Sequence, residues 1–212
     1  MTAALATPAM AEDDVQLWAT LAADVGIDDS TDLTLDLISR SRPDSIDTGQ
    51  IFVRVGARRK LDAATSVQVT YAWVRGLVDG GPDTTEHRFS ETISRRFPRQ
   101  GAWTFDARAA LEQRFQAAGG ETGWRARERV RVTRTLTPSL DAQASHELIF
   151  ALNDTAWGQA SGLTASRLTG GLHVAISPHF GVTPGYSWQH LFRPDRDDRD
   201  DHILQMTVDV HF

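Results

Sequence analysis

The chain has 212 residues, with 22 Lys or Arg, 28 Asp or Glu and a formal net charge of −6 at pH 7, the size of one domain with no basic excess to attract nucleic acid. Its 0 Cys exclude a disulfide framework, a thiolate metal site and a cysteine nucleophile. No run reaches the roughly 18 consecutive apolar residues of a membrane-spanning helix, a test that a β-barrel escapes.

Residues 1–11 end in Ala9-Met10-Ala11, the small-x-small pattern that signal peptidase cuts, here before Glu12. The basic start of a signal peptide is missing, so the segment reads as the remnant of one, or else as an Ala-rich arm. Residues 12–212 read as a single domain.

From there the dominant period is two, in eleven segments at about 14–25, 33–42, 50–61, 65–77, 85–97, 101–117, 123–137, 143–153, 165–176, 181–193 and 202–212. Ile51, Val53 and Val55 alternate with Arg54, and Val67, Val69, Tyr71 and Trp73 with Ser66, Gln68 and Thr70. Short turns (Gly26 to Thr31, Leu61 to Thr65, Pro98 to Gly101, Pro138 to Ala142, Ser177 to Gly181) take turns with longer polar connections (42–49, 77–85, 117–123, 154–164, 193–201). Short turns at one end and long loops at the other are the asymmetry of an outer-membrane barrel. Such bacterial barrels have an even strand number. Eleven segments therefore predict ten strands if the first is not a full wall strand, or twelve if one is missed, with twelve slightly favoured.

One face of these segments carries Arg54, Arg58, Glu86, Arg88, Arg108, Glu112, Arg114, Arg125, Arg127, Arg129, Glu147 and Arg167. The other carries aliphatic residues, with Tyr71, Trp73, Trp103, Phe115, Trp124, Tyr186, Trp188 and Phe192 near segment ends, where a bilayer interface would hold them. A soluble sandwich or lipocalin-like barrel would produce similar segments with the apolar face turned inward. The last segment argues against it: Leu204, Met206, Val208, Val210 and terminal Phe212 look like the C-terminal assembly signal of bacterial outer-membrane barrels.

At this point the chain resembles the bacterial family known only as domain of unknown function 2490. The matching residues are Gln16-Leu17-Trp18, Glu86-His87-Arg88, Arg108 with Leu111-Glu112-Gln113-Arg114-Phe115, Arg125-x-Arg127, Glu147-Leu148 with Asn153, Arg167 with Gly171, Gly185-Tyr186, His202-x-Leu204-Gln205 and Phe212. The resemblance implies an outer-membrane β-barrel and carries no activity over. Glu91 and Glu128 depart from the pattern by falling on the apolar face.

Catalysis would need a Ser or Thr with a His base near the lipid-facing rim. By parity His87, His146, His190 and His202 point outward, His173 and His211 inward, and His179 sits in a turn. His173 with Ser145 is the one pair singled out for testing, and no Gly-x-Ser-x-Gly elbow occurs. The acidic run from Asp195 to His202 lacks EF-hand spacing and reads as a solvated loop. Gly80-Gly81 and Gly119-Gly120 lack the Lys-Ser/Thr of a phosphate loop.

The sequence thus predicts an all-β, antiparallel up-and-down transmembrane barrel of 10–12 strands in the outer membrane of a Gram-negative bacterium. Its lumen is filled by an Arg/Glu network, and its role is structural or concerned with small solutes. No metal, cofactor or catalytic group is assigned. The expected partners are outer-membrane lipids and the barrel assembly machinery, not nucleic acid. The alternatives are an outer-membrane lipid-modifying enzyme, which a rim Ser/His pair within hydrogen-bond reach would favour, and a soluble periplasmic ligand-binding barrel.

Overall fold

The computed structural model describes residues 12–43 and 45–212, with backbone alone at 12, 13 and 45–48; the export segment expected over residues 1–11 lies outside them. The strands are β1 (Glu12–Gly26), β2 (Thr31–Arg42), β3 (Ser45–Lys60), β4 (Thr65–Leu77), β5 (Thr84–Arg96), β6 (Trp103–Gln116), β7 (Gly123–Thr137), β8 (Leu140–Ala151), β9 (Gly162–Ser177), β10 (Phe180–Leu191) and β11 (Arg199–His211). Each pairs antiparallel with its neighbour in sequence, and the sheet closes on itself through a parallel β1–β11 ladder running from Glu12↔Arg199 to Asp24↔His211.

The strand number is therefore eleven, inside the expected range, and neither even count applies. The first segment is a full wall strand and no twelfth is present among the described residues. The even-number rule holds when first and last strands meet antiparallel. An odd cylinder closes as well when they run parallel, and then the chain enters β1 at the long-loop end and leaves β11 at the short-turn end. The loop expected at 42–49 is also shorter than its composition implied, because β3 already begins at Ser45. Polar residues beyond an apolar belt still join the ladder, since backbone hydrogen bonds need no apolar side chain.

The short turns have local causes. Asp62 Oδ1 accepts the backbone N–H of Ala64 and Thr65 at 2.7 Å, and Asp28 Oδ1 accepts that of Ser30 at 2.8 Å, the Asx geometry that competes with continued strand. Gly101 adopts φ 60° in the β5–β6 turn, a left-handed backbone conformation that favours glycine.

Alternation sorts the side chains inside out relative to a soluble barrel. Leu17, Leu21, Leu35, Ile51, Val69, Phe89, Val130, Leu168, Leu172, Leu204 and Met206 face outward and are exposed. The most completely buried side chains, Phe52, Ile203, Ser187 and Asp201, lie inside the lumen. Ile38, Phe52, Ala72 and Val74 form an apolar cluster on the β2–β4 wall, facing the charged wall of β5–β9. Glu91 and Glu128 are exposed within the outer apolar face.

Candidate functional site

The lumen is the candidate site. Strand register lines up Arg108, Arg129, Glu147, Arg167, Gln189 and Asp201 as one cross-strand row over β6 to β11. Around it, each interior glutamate is shared by two arginines. Glu86 accepts from Arg88 at 2.9 Å and 3.0 Å and from Arg114 at 2.6 Å and 3.0 Å. Glu112 is bonded by Arg125 and lies 3.9 Å from Arg127. Glu147 takes Arg127 at 2.8 Å and Arg167 at 3.1 Å. The fork of a guanidinium fits a carboxylate edge-on, and such charge-assisted bonds are the strong ones in a partly dehydrated space.

Of the remaining inward set, Arg54, Arg58 and Arg108 are held by partners that the Arg/Glu reading left out. Arg54 pairs with Asp36 at 3.1 Å, and Arg58 with Asp24 at 2.9 Å and Asp32 at 3.0 Å. Arg108 reaches Thr92 at 3.4 Å, and Arg129 stands in register between Arg108 and Glu147. Asp201, 1% exposed, takes Arg199 at 2.7 Å and Gln189 at 2.9 Å. Parity along β2 and β11 was the signal for Asp36 and Asp201. Arg40 was also missed, although it shares the parity of Asp36 and Ile38. Its guanidinium carbon lies 3.9 Å from the Trp18 ring and 4.5 Å from that of Phe52.

Two cavities lie in the lumen, one toward each end. At the long-loop end is a cavity of about 800 Å³, with Trp18, Arg40, Arg114, Arg125 and Arg167 in its wall. At the short-turn end is a second of about 690 Å³, walled by residues including Arg58, Arg108, Arg129 and Arg131. No residue lines both. The β8–β9 loop folds into the first. Gln159 accepts from Arg114 at 3.2 Å and donates to the Asn153 carbonyl at 3.0 Å, and Trp157 lies over Gly123, where a Cβ would come within 2.5 Å of its ring. The loop carboxylates are tied to backbone: Ser161 N–H donates to Asp154 at 2.7 Å and Arg193 N–H to Asp198 at 2.9 Å, which holds both carboxyls below their usual range.

On the outer face the histidines are paired, His87, His190 and His202 toward the long-loop end and His146 halfway along β8. His87 meets Tyr71 at 2.7 Å, His202 meets Tyr186 at 2.6 Å, and His190 meets Asp200 at 2.7 Å. His146 Nε2 lies 2.9 Å from Ser166 Oγ. The singled-out pair of His173 and Ser145 is not brought together: His173 contacts Thr183 at 3.1 Å and Asp209 at 3.5 Å, while Ser145 pairs in register with Thr169 and Arg131.

Residues 15–200 match the family described as "Protein of unknown function (DUF2490)", and the chain belongs to that family. An uncharacterized protein of Methylorubrum extorquens is 30% identical over 168 residues, covering 77% of this chain and 73% of that one. Among solved structures, the chain is similar to a bacterial polysaccharide outer membrane secretin (TM-score 0.54, 10% identity, 83% of this chain), of whose length it spans 63%. It is similar also to the NanC porin (TM-score 0.51, 14% identity, 84% of this chain and 85% of that one). The fold is that of outer-membrane β-barrels.

Proposed function

We propose that the protein is a small barrel of the bacterial outer membrane whose lumen is closed at the waist, with a structural or small-solute role at the cell surface. The observation that carries this reading is the pair of lumenal cavities with no lining residue in common. The exposed outward aliphatics support a lipid environment and argue against a soluble periplasmic barrel, whose apolar face would be inside. In this reading the belt contacts outer-membrane lipids, residues 1–11 belong to the export signal, and the assembly machinery reads the outward residues Leu204, Met206, Val208, Val210 and Phe212. Planar-bilayer recording tests it: purified protein conducts ions poorly or not at all. Large, stable, unselective pores would overturn it.

A second reading, a lipid-modifying enzyme, draws on one observation, the 2.9 Å contact of His146 Nε2 with Ser166 Oγ on the lipid-facing wall, halfway along β8 and not at the rim where such chemistry was expected. A nucleophile and base within reach are the core of a serine-hydrolase site, and Glu128 shares a shallow outer groove with His146. The first reading is preferred because His87, His190 and His202 are bonded to rim neighbours in the same way. Release of fatty acid from phospholipid or lipopolysaccharide vesicles, abolished in Ser166→Ala, would establish the second reading, and no release would remove it.

A further inference from the structure

The long-loop cavity is strongly unbalanced in charge. Eight arginines and two aspartates contribute to its wall, with no glutamate or lysine. Most of those arginines have partners: Arg125 bonds Glu112, Arg167 bonds Glu147, Arg114 bonds Glu86 and Arg199 bonds Asp201. Arg40 does not share this arrangement. Among the described residues no carboxylate lies within ion-pair distance of it, its Nε is buried with no acceptor, and its one hydrogen bond is a long 3.5 Å contact from Nη1 to Gln50.

The Arg40 guanidinium carbon lies over the rings of Trp18 and Phe52, which stand on the two strands flanking β2. Its hydrogen-bonding chemistry lies in its plane, where an arginine carries five N–H donors in a fixed fork. The same two rings carry further cations: Arg167 stands 4.8 Å from Trp18 and Arg88 stands 5.1 Å from Phe52. A guanidinium set against two rings in a cavity wall, among other cations and without a counter-ion of its own, is an incomplete ion pair.

We propose that this vestibule is a binding site for a small soluble oxyanion, a carboxylate or a phosphate, which docks in the plane of the Arg40 guanidinium and supplies the missing counter-charge. A lipid headgroup is the less suitable source, because the strands wall the lumen off from the bilayer. Gln50 and Gln189 in the same wall offer donors and acceptors to a polar body attached to the anion. The inference deepens the waist-closed reading by naming what its outer chamber holds.

The test is calorimetric titration of detergent-solubilised full-length protein with sodium succinate and with sodium phosphate, at ionic strength matched with sodium chloride, and bilayer recordings on the same samples. Saturable one-to-one binding of either anion is expected, weakened at least tenfold in Arg40→Gln, reduced less in Arg40→Lys and unchanged in Arg131→Gln at the other end. The anion that binds tells carboxylate from phosphate. If Arg40→Gln fails to fold, the wild-type melting temperature decides, rising saturably with the bound anion and not with chloride. Absence of saturable binding, or undiminished affinity in Arg40→Gln, overturns the proposal. The recordings report separately on the closed waist, so either idea can fail without the other.

Discussion

Arg127 donates to Glu147 through contacts of 3.1 Å, 2.8 Å and 2.9 Å across the β7–β8 ladder, while Arg167 holds the same carboxylate from β9. One glutamate thus sits against two guanidinium groups, and its loss leaves Arg167 without a carboxylate partner among the described residues and Arg127 with only the 3.9 Å approach of Glu112. Replacing Glu147 with Gln is expected to cost about 3–5 kcal/mol, the range for breaking a buried pair on one side. Thermal unfolding in detergent micelles measures it, with Asp197→Asn, exposed in the β10–β11 loop, as the control whose midpoint does not move.

Phe212 contributes to the fold through its backbone, donating to the Asp24 carbonyl at 3.0 Å and accepting from Gly26 N–H at 3.1 Å, while the residue as a whole is 76% exposed. Phe212→Asp should therefore leave the unfolding midpoint of refolded protein nearly unchanged and still lower the amount inserted in membranes, because the exposed ring is what the assembly machinery reads in our proposal. Equal insertion of wild type and variant would refute that role.

The loops containing Asp83, Gly120 and Asp198 lie at one end of the barrel, and the turns containing Ala63 and Ser139 at the other. Epitope tags at the first three positions should be labelled on intact cells, and tags at the other two only after permeabilisation. The opposite labelling would invert the assigned orientation.

Acid should loosen the β8–β9 loop through Asp154. Because its carboxyl is held low by the Ser161 N–H, the ionised form is favoured in the folded loop. The resulting stability is complete above the ordinary carboxylate pKa of about 4 and is lost as pH falls through the lower folded value. Hydrogen exchange in residues 154–161, corrected for intrinsic rates, should be flat from neutral pH down to that point and rise below it. Asp154→Asn should raise it at neutral pH and abolish the further rise in acid.

Much of the barrel was legible because the β-period is local: parity alone placed Leu204 and Met206 outside, and Glu112 and Glu147 inside. Closure was not, since whether β1 meets β11 parallel or antiparallel depends on residues from opposite ends of the chain. Parity also gives a face without a register. It could pair neither His146 with Ser166 nor separate His173 from Ser145. Arg40 was hidden in the Ser39-Arg40-Ser41-Arg42 stretch, which reads as the frayed end of a segment until Trp18 and Phe52 are brought against it from the flanking strands.

The parallel ladder between β1 and β11 also sets an order of events. Every other contact in the cylinder joins strands adjacent in sequence, so the sheet can grow hairpin by hairpin from any point. The final ladder must wait for both ends of the chain and bears the entropy of the largest loop in the molecule. Parallel pairing is also slightly weaker per residue than antiparallel. The cylinder therefore has one line along its wall that zips last and, under strain, parts first.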